Sequence, residues 1–225
     1  MTKNQIAEIA WKDNGVPVAT QFDDPYFSLD DGLAETRHVF LDGNDLPARF
    51  TPGFHIAELG FGTGLNMLAT WQAWHQVGAP KGVRFTSFEA FPMSPADIAK
   101  ALRSFPELQS AAEPLLQAWT EGRRTFDLGG FTVEVVEGDA RHTLAAWPGR
   151  ADAWFLDGFS PAKNPELWGE GLLAQVGAHT APSGSFATYT AAGFVRRALD
   201  AAGFEVERVP GYGRKRHMSR GTLRP

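Results

Sequence analysis

The chain has 225 residues, 43% of them hydrophobic and 21% charged, with a net charge of −5. Those values suit one soluble globular domain with a sizeable core, and they argue against a protein that coats nucleic acid indiscriminately. Without cysteine there are no disulfides and no thiolate metal sites, and no apolar run approaches the ~20 residues of a membrane span.

Met1 to Trp11 mixes polar and apolar residues and lacks a secretory apolar core, so cytoplasm is the default location. Residues 12–53 are dense in turn formers and acids, as in Asn14-Gly15, Asp23-Asp24-Pro25, Asp30-Asp31-Gly32 and Asp42-Gly43-Asn44. They predict short strands and one helix, Leu33 to Leu41, with Glu35, Thr36, Arg37 and His38 on a polar face. No chemistry attaches to this region from the residues alone.

His55 to Leu59 is a short apolar run that leads into Gly60, Gly62 and Gly64, then into an apolar segment reaching Trp74. That is the grammar of strand, tight loop and helix. Glycines there admit positive φ and let a ligand approach the main chain, delivering it to the unpaired N–H groups of the next helix. The spacing is G-x-G-x-G, distinct from the G-x-G-x-x-G of dinucleotide sites, and no lysine follows as in a phosphate loop. Glu58, two residues before the first glycine, repels phosphate and suits a ligand with a cationic amino-acid end, such as S-adenosylmethionine (SAM). The plainer reading is a βα turn whose glycines serve packing.

Val83 to Phe88 reads as a second strand ending at Glu89. An acid at that position in βαβ nucleoside sites binds ribose hydroxyls, and Glu89 follows the loop at close to the expected interval of about 20 residues. Ser94-Pro95-Ala96-Asp97 opens a helix with a cap, a first-turn proline and an acid near the positive dipole end. Phe105 to Trp119 predicts a helical segment interrupted at Pro106 and Pro114. Phe131 to Val136 alternates as a strand and ends in Glu137-Gly138-Asp139-Ala140-Arg141, which makes Asp139 a candidate for an adenine or ribose contact.

Ala151 to Leu156 is a buried-strand run that terminates in Asp157-Gly158-Phe159-Ser160-Pro161, the candidate catalytic turn. Lys163, Asn164, Glu166 and Trp168 follow as candidate substrate contacts; a merely capped βα turn is the structural alternative. Ser185 to Thr190 predicts a strand, Ala192 to Ala202 a helix, and Phe204 to Val209 a strand before Gly211 to Arg216 turns back. From Arg196 onward eight Arg/Lys face three acids, a local +5 against −10 for the remainder. Such asymmetry seats a polyanion at one edge, or equally marks a solvated basic tail. Strands and helices alternate throughout, so the class is α/β with a largely parallel sheet.

Four stretches together resemble a known family. They are Gln21 to Ser28, Glu58 to Asn66, Asp152 to Pro165, and Gly193 to Arg197 with Gly211 to Arg216 behind it. The family is the methyltransferase part of bacterial tRNA 5-methylaminomethyl-2-thiouridine biosynthesis proteins, with its free-standing homologues. The resemblance implies a Rossmann-like SAM-dependent methyltransferase fold over residues 54–225, with helices on both faces of a mostly parallel sheet. Residues 1–53 would form a small extension packed on the cofactor side.

It also implies N-methylation of the 5-aminomethyl group of 5-aminomethyl-2-thiouridine at the tRNA wobble position. On that reading Glu58, Gly60, Phe61, Gly62, Thr63, Gly64 and Asn66 hold the methionine end of SAM, Glu89 the ribose and Asp139 the adenine side. Asp157 faces the sulfonium and accepts a proton from the amine, and Phe159 stacks on the target base. Lys163, Asn164, Arg196, Arg197, Arg214, Lys215 and Arg216 would contact the anticodon loop. No metal is expected, since the six histidines show no ligand spacing.

In two-domain members a flavin-dependent oxidase domain makes the amine. No second glycine fingerprint occurs before Pro225, so flavin and the oxidase step are expected to lie outside this polypeptide. Whether a separate FAD-dependent oxidase acts upstream stays open. Rival readings are a SAM enzyme acting on a small-molecule or protein amine, and a non-catalytic SAM-fold binding module. Dinucleotide-dependent reduction is disfavoured by the glycine spacing.

Overall fold

The computed structural model describes residues 6–28 and 31–225. Residues 1–5 of the N-terminal segment, and Asp30 of the acidic turn, lie outside it.

The organising strand is the glycine-led one. Counting β1 (Ile9–Trp11), β2 (Pro17–Ala19) and β3 (Asp24–Pro25) before it, it is β4 (His55–Leu59), buried at all five positions. It pairs in parallel with β5 (Val83–Glu89) on one side and β8 (Ala151–Leu156) on the other. A strand enclosed on both faces carries a near-continuous apolar run, which is why β4 and β8 were legible. Alternation then sorts their side chains: Ile56, Ala153 and Phe155 enter one core, and Ala57, Leu59, Trp154 and Leu156 the other.

The first core is roofed by α2 (Leu65–Gln76), α3 (Pro95–Leu102) and α4 (Gln109–Thr120). The second is covered by α5 (Ala140–Thr143), α6 (Glu170–Ala178) and α7 (Gly193–Ala201). With β6 (Thr125–Asp127), β7 (Phe131–Glu137), β9 (Thr180–Thr188), β10 (Phe204–Pro210) and β11 (His217–Leu223), the sheet runs β10-β11-β9-β8-β4-β5-β7-β6. Its centre, β9-β8-β4-β5-β7, is parallel, and antiparallel strands close both edges. Chain order reverses between β8 and β4, so their carboxyl ends splay apart and open a crevice.

Several expectations shift in detail. The helix expected over residues 33–41 is α1 (Gly32–Thr36), capped by Asp31, followed by a π-helical turn Arg37–Leu41. Pro106 does open a separate 3-10 turn, but Pro114 lies inside α4 without interrupting it. Pro114 and Ser110 are both exposed, so water can take the carbonyl that the missing N–H leaves free. The strand predicted from Ser185 begins earlier, at Thr180, and β11 was not predicted. The described residues of 12–53 do form short strands and helical turns, and β2 and β3 join the preceding β1 in a separate small sheet.

No helix among the described residues is long and apolar enough to cross a membrane.

Candidate active site

The crevice between β4 and β8 opens into a cavity of about 710 Å³, within the range of small-molecule sites. One wall is the glycine loop, 60–64. Gly60 has φ +92°, and a Cβ there would lie 2.1 Å from the Asp157 carbonyl oxygen. Gly60 N–H also bonds the Phe88 carbonyl, and Asp157 N–H bonds the Leu59 carbonyl. Glycine at this position therefore lets the loop and the Asp157 turn meet main chain to main chain. Gly62 faces Tyr26, whose ring stands 3.1 Å from where a Cβ would be.

Beneath the loop runs a connected set of polar groups. Asn66, in the first turn of α2, donates from Nδ2 to Asp157 Oδ2 at 2.6 Å and to Glu58 Oε1 at 2.9 Å. Its Oδ1 accepts from Thr36 Oγ1 at 2.8 Å, and Ser87 Oγ donates to Glu58 Oε2 at 2.7 Å. The Thr36 bond orients the amide, so that its N–H groups and not its oxygen face the two carboxyls. Glu58 is 0% exposed and is not on the cavity wall. Burial lifts its pKa to about 8 against the bonds from Ser87 and Asn66. The expected ligand contact at Glu58 is thus replaced by a supporting role: it holds Asn66, and Asn66 reaches the cavity.

Asp157 does face the cavity. Burial lifts its carboxyl to about 7, opposed by the Asn66 bond and by the charge of Lys215, and reinforced by Glu35. Glu89 also lies on the wall. Its Oε2 accepts from Gly62 N–H at 3.0 Å and its Oε1 from Phe91 N–H at 2.7 Å. Burial raises its pKa, and these backbone bonds oppose the rise. Asp139 lines the cavity too, but it caps α5 and is clamped by the Arg141 guanidinium, which holds its pKa below the usual carboxylate range.

The other expected residues divide between cavity and scaffold. Phe61 and Thr63 line the cavity, whereas Gly64 sits behind the loop against Leu115 and the Phe61 ring. Phe159 lines it, but one ring face is already stacked on Phe22 at 4.6 Å and Tyr26 meets it edge-on at 5.1 Å. Asn164, Glu166, Arg214 and Lys215 are on the wall. Lys163 is not: its ammonium is held by the carbonyl and carboxylate of Asp23. Trp168 is a core residue whose Nε1 donates to the Phe159 carbonyl at 2.9 Å. Arg196 and Arg197 lie on α7, and Arg216 at the β10–β11 turn, all off the cavity wall.

The N-terminal segment supplies what sequence reasoning missed. Phe22, Asp24, Tyr26, Glu35 and Thr36 all line the cavity. Asp24 Oδ2 accepts from Ser160 N–H at 2.7 Å, and Lys163 binds Asp23, so β3 is tied to the Asp157 turn. The signal was the aromatic and acid density of Gln21 to Ser28. Among the described residues no group of three or more His, Asp or Glu is placed to hold a metal.

Comparison with known proteins identifies the family. Residues 106–224 match a family model described as S-adenosyl-L-methionine-dependent methyltransferase. The bifunctional tRNA 5-methylaminomethyl-2-thiouridine biosynthesis protein MnmC of Chromobacterium violaceum is 47% identical over 229 residues, 96% of this chain and 34% of its own. That of Caulobacter vibrioides is 47% identical over 224 residues, 96% of this chain and 38% of its own. The chain thus spans little more than a third of the length of these relatives. The crystal structure of MnmC2 from Aquifex aeolicus superposes with a TM-score of 0.79 at 26% identity, covering 99% of this chain and 72% of that one. The chain belongs to the S-adenosyl-L-methionine-dependent methyltransferase family, and within it is related to MnmC.

Proposed function

We propose that this protein methylates the amine of 5-aminomethyl-2-thiouridine at the wobble position of tRNA, giving 5-methylaminomethyl-2-thiouridine. The observation that carries the reading is Asp157, a half-buried carboxylate on the cavity wall with one oxygen fixed by Asn66. The names of the MnmC relatives supply the substrate class.

The residues fit SAM. Gly60 lets the loop lie against the Asp157 turn and Gly62 lets it lie against Tyr26, so the loop's main chain borders the cavity, and Glu89 has both oxygens oriented by backbone N–H groups with lone pairs left for ribose hydroxyls. Thr63, Asn66 and the open end of α2 take the methionine end, and Asp139 borders the adenine side. Bound SAM supplies an electrophilic methyl group on a positively charged sulfur.

An aliphatic amine has a pKa of about 10 and reaches the site as an ammonium, which has no lone pair. Asn66 holds Oδ2 of Asp157, so Oδ1 is the oxygen offered to the amine. The carboxylate takes one ammonium proton and so leaves the nitrogen a free lone pair directed at the place where the methyl group of SAM would lie. The methylated amine would leave as its ammonium, and Asp157 returns the proton it took to water. A base whose pKa is about 7 is matched to work at neutral pH; orientation by the walls supplies the rest.

The Phe22–Phe159 pair, not Phe159 alone, is the surface on which the target base rests. Arg214, Arg216, Arg196 and Arg197 serve the anticodon phosphates, and Asn164 the nucleoside. Residues 1–53 act as an extension closing the cofactor side, and 54–225 as the methyltransferase domain. A flavin-dependent oxidation upstream that generates the amine, and a place in the cytoplasm with tRNA, complete the reading.

The test is labelled SAM with tRNA from cells lacking the modification, followed by nucleoside analysis, for wild type and Asp157→Asn. Label in 5-methylaminomethyl-2-thiouridine with wild type, and a loss of at least a hundredfold in Asp157→Asn with SAM affinity retained, is the expected result. Label only in a metabolite or protein fraction, or near-normal turnover by Asp157→Asn, overturns it.

A further inference from the structure

The basic cluster 214–216 does not behave as one unit. Lys215 sits on the turn between β10 and β11, and its Nζ lies 2.8 Å from Glu35 Oε1 on α1. The same ammonium stands 4.1 Å from the centroid of the Tyr189 ring. The Tyr189 hydroxyl in turn donates to the carbonyl of Gly158 at 2.7 Å, the residue that follows Asp157. Two elements far apart in sequence thus hold one cation against the wall that carries Asp157. Arg216, its neighbour, is off that wall.

We propose that Lys215 is a positioning residue for the transfer reaction: paired with Glu35 across the cavity, it keeps Asp157 ionised instead of gripping an RNA phosphate. The inference rests on the reading of Asp157 as the proton acceptor.

The groups that face Asp157 are Asn66 from α2, Glu58 from β4, Glu35 from α1, Tyr189 from the end of β9 and Lys215 from the hairpin. Asp24, Glu89 and Arg214 line the same cavity. Glu35 works against ionisation of Asp157, and Lys215 works for it. Removing Lys215 deletes the favourable charge and also frees Glu35 from its partner, so both changes drive Asp157 toward its protonated form. A fixed cation also lowers the pKa of a substrate ammonium beside it. Its loss therefore raises both pKa values, so that Asp157 and the amine each deprotonate at higher pH while the difference between them changes little.

The test is kcat/KM for tRNA lacking the modification, measured against pH at fixed ionic strength with the full chain. The acidic limb of that profile reports groups of the free enzyme. Lys215→Met should move the limb up by about one pH unit, a roughly tenfold loss on its acid side, with recovery at alkaline pH. Glu35→Gln should move it down, and Lys215→Arg should restore it. The salt dependence of KM for tRNA should stay as in wild type.

An unmoved limb in Lys215→Met, or a uniform rise in KM with a shallower salt slope, overturns the proposal and makes Lys215 a phosphate contact. Should Lys215→Met fail to fold, Glu35→Gln still decides: a limb that stays put or moves up overturns the proposal. Asp157→Asn separates the two claims. If it turns over normally, the role of Asp157 has failed. If it is inactive while the Lys215 and Glu35 variants leave the limb in place, only the present inference has failed.

Discussion

Glu58→Gln should stabilise the protein in alkali and change it little in acid. The Glu58 carboxyl is fully buried, and burial lifts its pKa from the ordinary 4.5 to about 8 despite two hydrogen bonds. The folded protein therefore keeps this proton up to about pH 8, whereas the unfolded chain releases it near its ordinary value. Between those limits the folded state binds more protons, so stability is present below the unfolded pKa and lost as pH rises through the folded one.

A rise of about 3.5 pH units at 1.36 kcal/mol each is worth about 5 kcal/mol. For a chain of this size that corresponds to on the order of 10 °C in Tm. Glutamine mimics the protonated acid: its Oε1 accepts from Asn66, and its Nε2 donates to Ser87 Oγ, which turns to accept. Thermal unfolding of wild type and variant from pH 5 to 9 gives the difference curve. Asp157 adds a slope of the same sign in both proteins; its charge and its shared Asn66 donor couple it to Glu58, so the same pair of curves in an Asp157→Asn background isolates the Glu58 part. Parallel curves, or a variant less stable than wild type at pH 9, would show that burial does not raise the Glu58 pKa and would refute the reasoning.

Gly60→Ala places a methyl 2.1 Å from the Asp157 carbonyl at a φ of +92°, which costs about 1–3 kcal/mol in backbone strain alone. Calorimetry should show SAM affinity lost in a variant that still gives wild-type circular dichroism; retained affinity would mean that the loop and turn can separate harmlessly. Lys163→Ala removes an exposed tie to Asp23 and should cost no more than about 1 kcal/mol of stability. Its effect should fall on binding instead, with a several-fold weaker Kd for SAM, because β3 carries Asp24 and precedes Tyr26 on the cavity wall. An unchanged Kd would mean that the N-terminal segment is held without that tie.

The parts of this site that could be read from sequence are those whose local pattern and tertiary environment agree. β4 and β8 are enclosed parallel strands and read as short apolar runs, whereas β5 and β7, nearer the edge, mix apolar with polar residues; all four end in a polar or glycine turn at the sheet's carboxyl edge. Local chemistry also set the α3 cap, where Ser94 Oγ accepts from Asp97 N–H at 3.1 Å. β11 was hidden because its sequence, His217 to Leu223, has no apolar period. It exists by pairing with β9 and β10, and Gly221 lets the Glu205 carbonyl approach.

Glu58 shows a subtler limit. An acid before a glycine loop has the same sequence signature whether it faces a ligand or lies beneath one. Which it does depends on Ser87, on a neighbouring strand, and on Asn66 in the next helix. The N-terminal segment is the extreme case, since its contacts with the site, Thr36 to Asn66, Asp24 to Ser160 and Glu35 to Lys215, span 30, 136 and 180 residues. Contacts at such separation leave no periodicity in the segment that makes them. Their physical effect is nevertheless local: the Thr36 hydroxyl fixes which way the Asn66 amide points, and that choice decides whether Asp157 meets a donor or another acceptor. The donor that steadies the proposed base is thus set by a residue outside the βαβ core, and the core alone would lack both that hydroxyl and the Glu35 partner of Lys215.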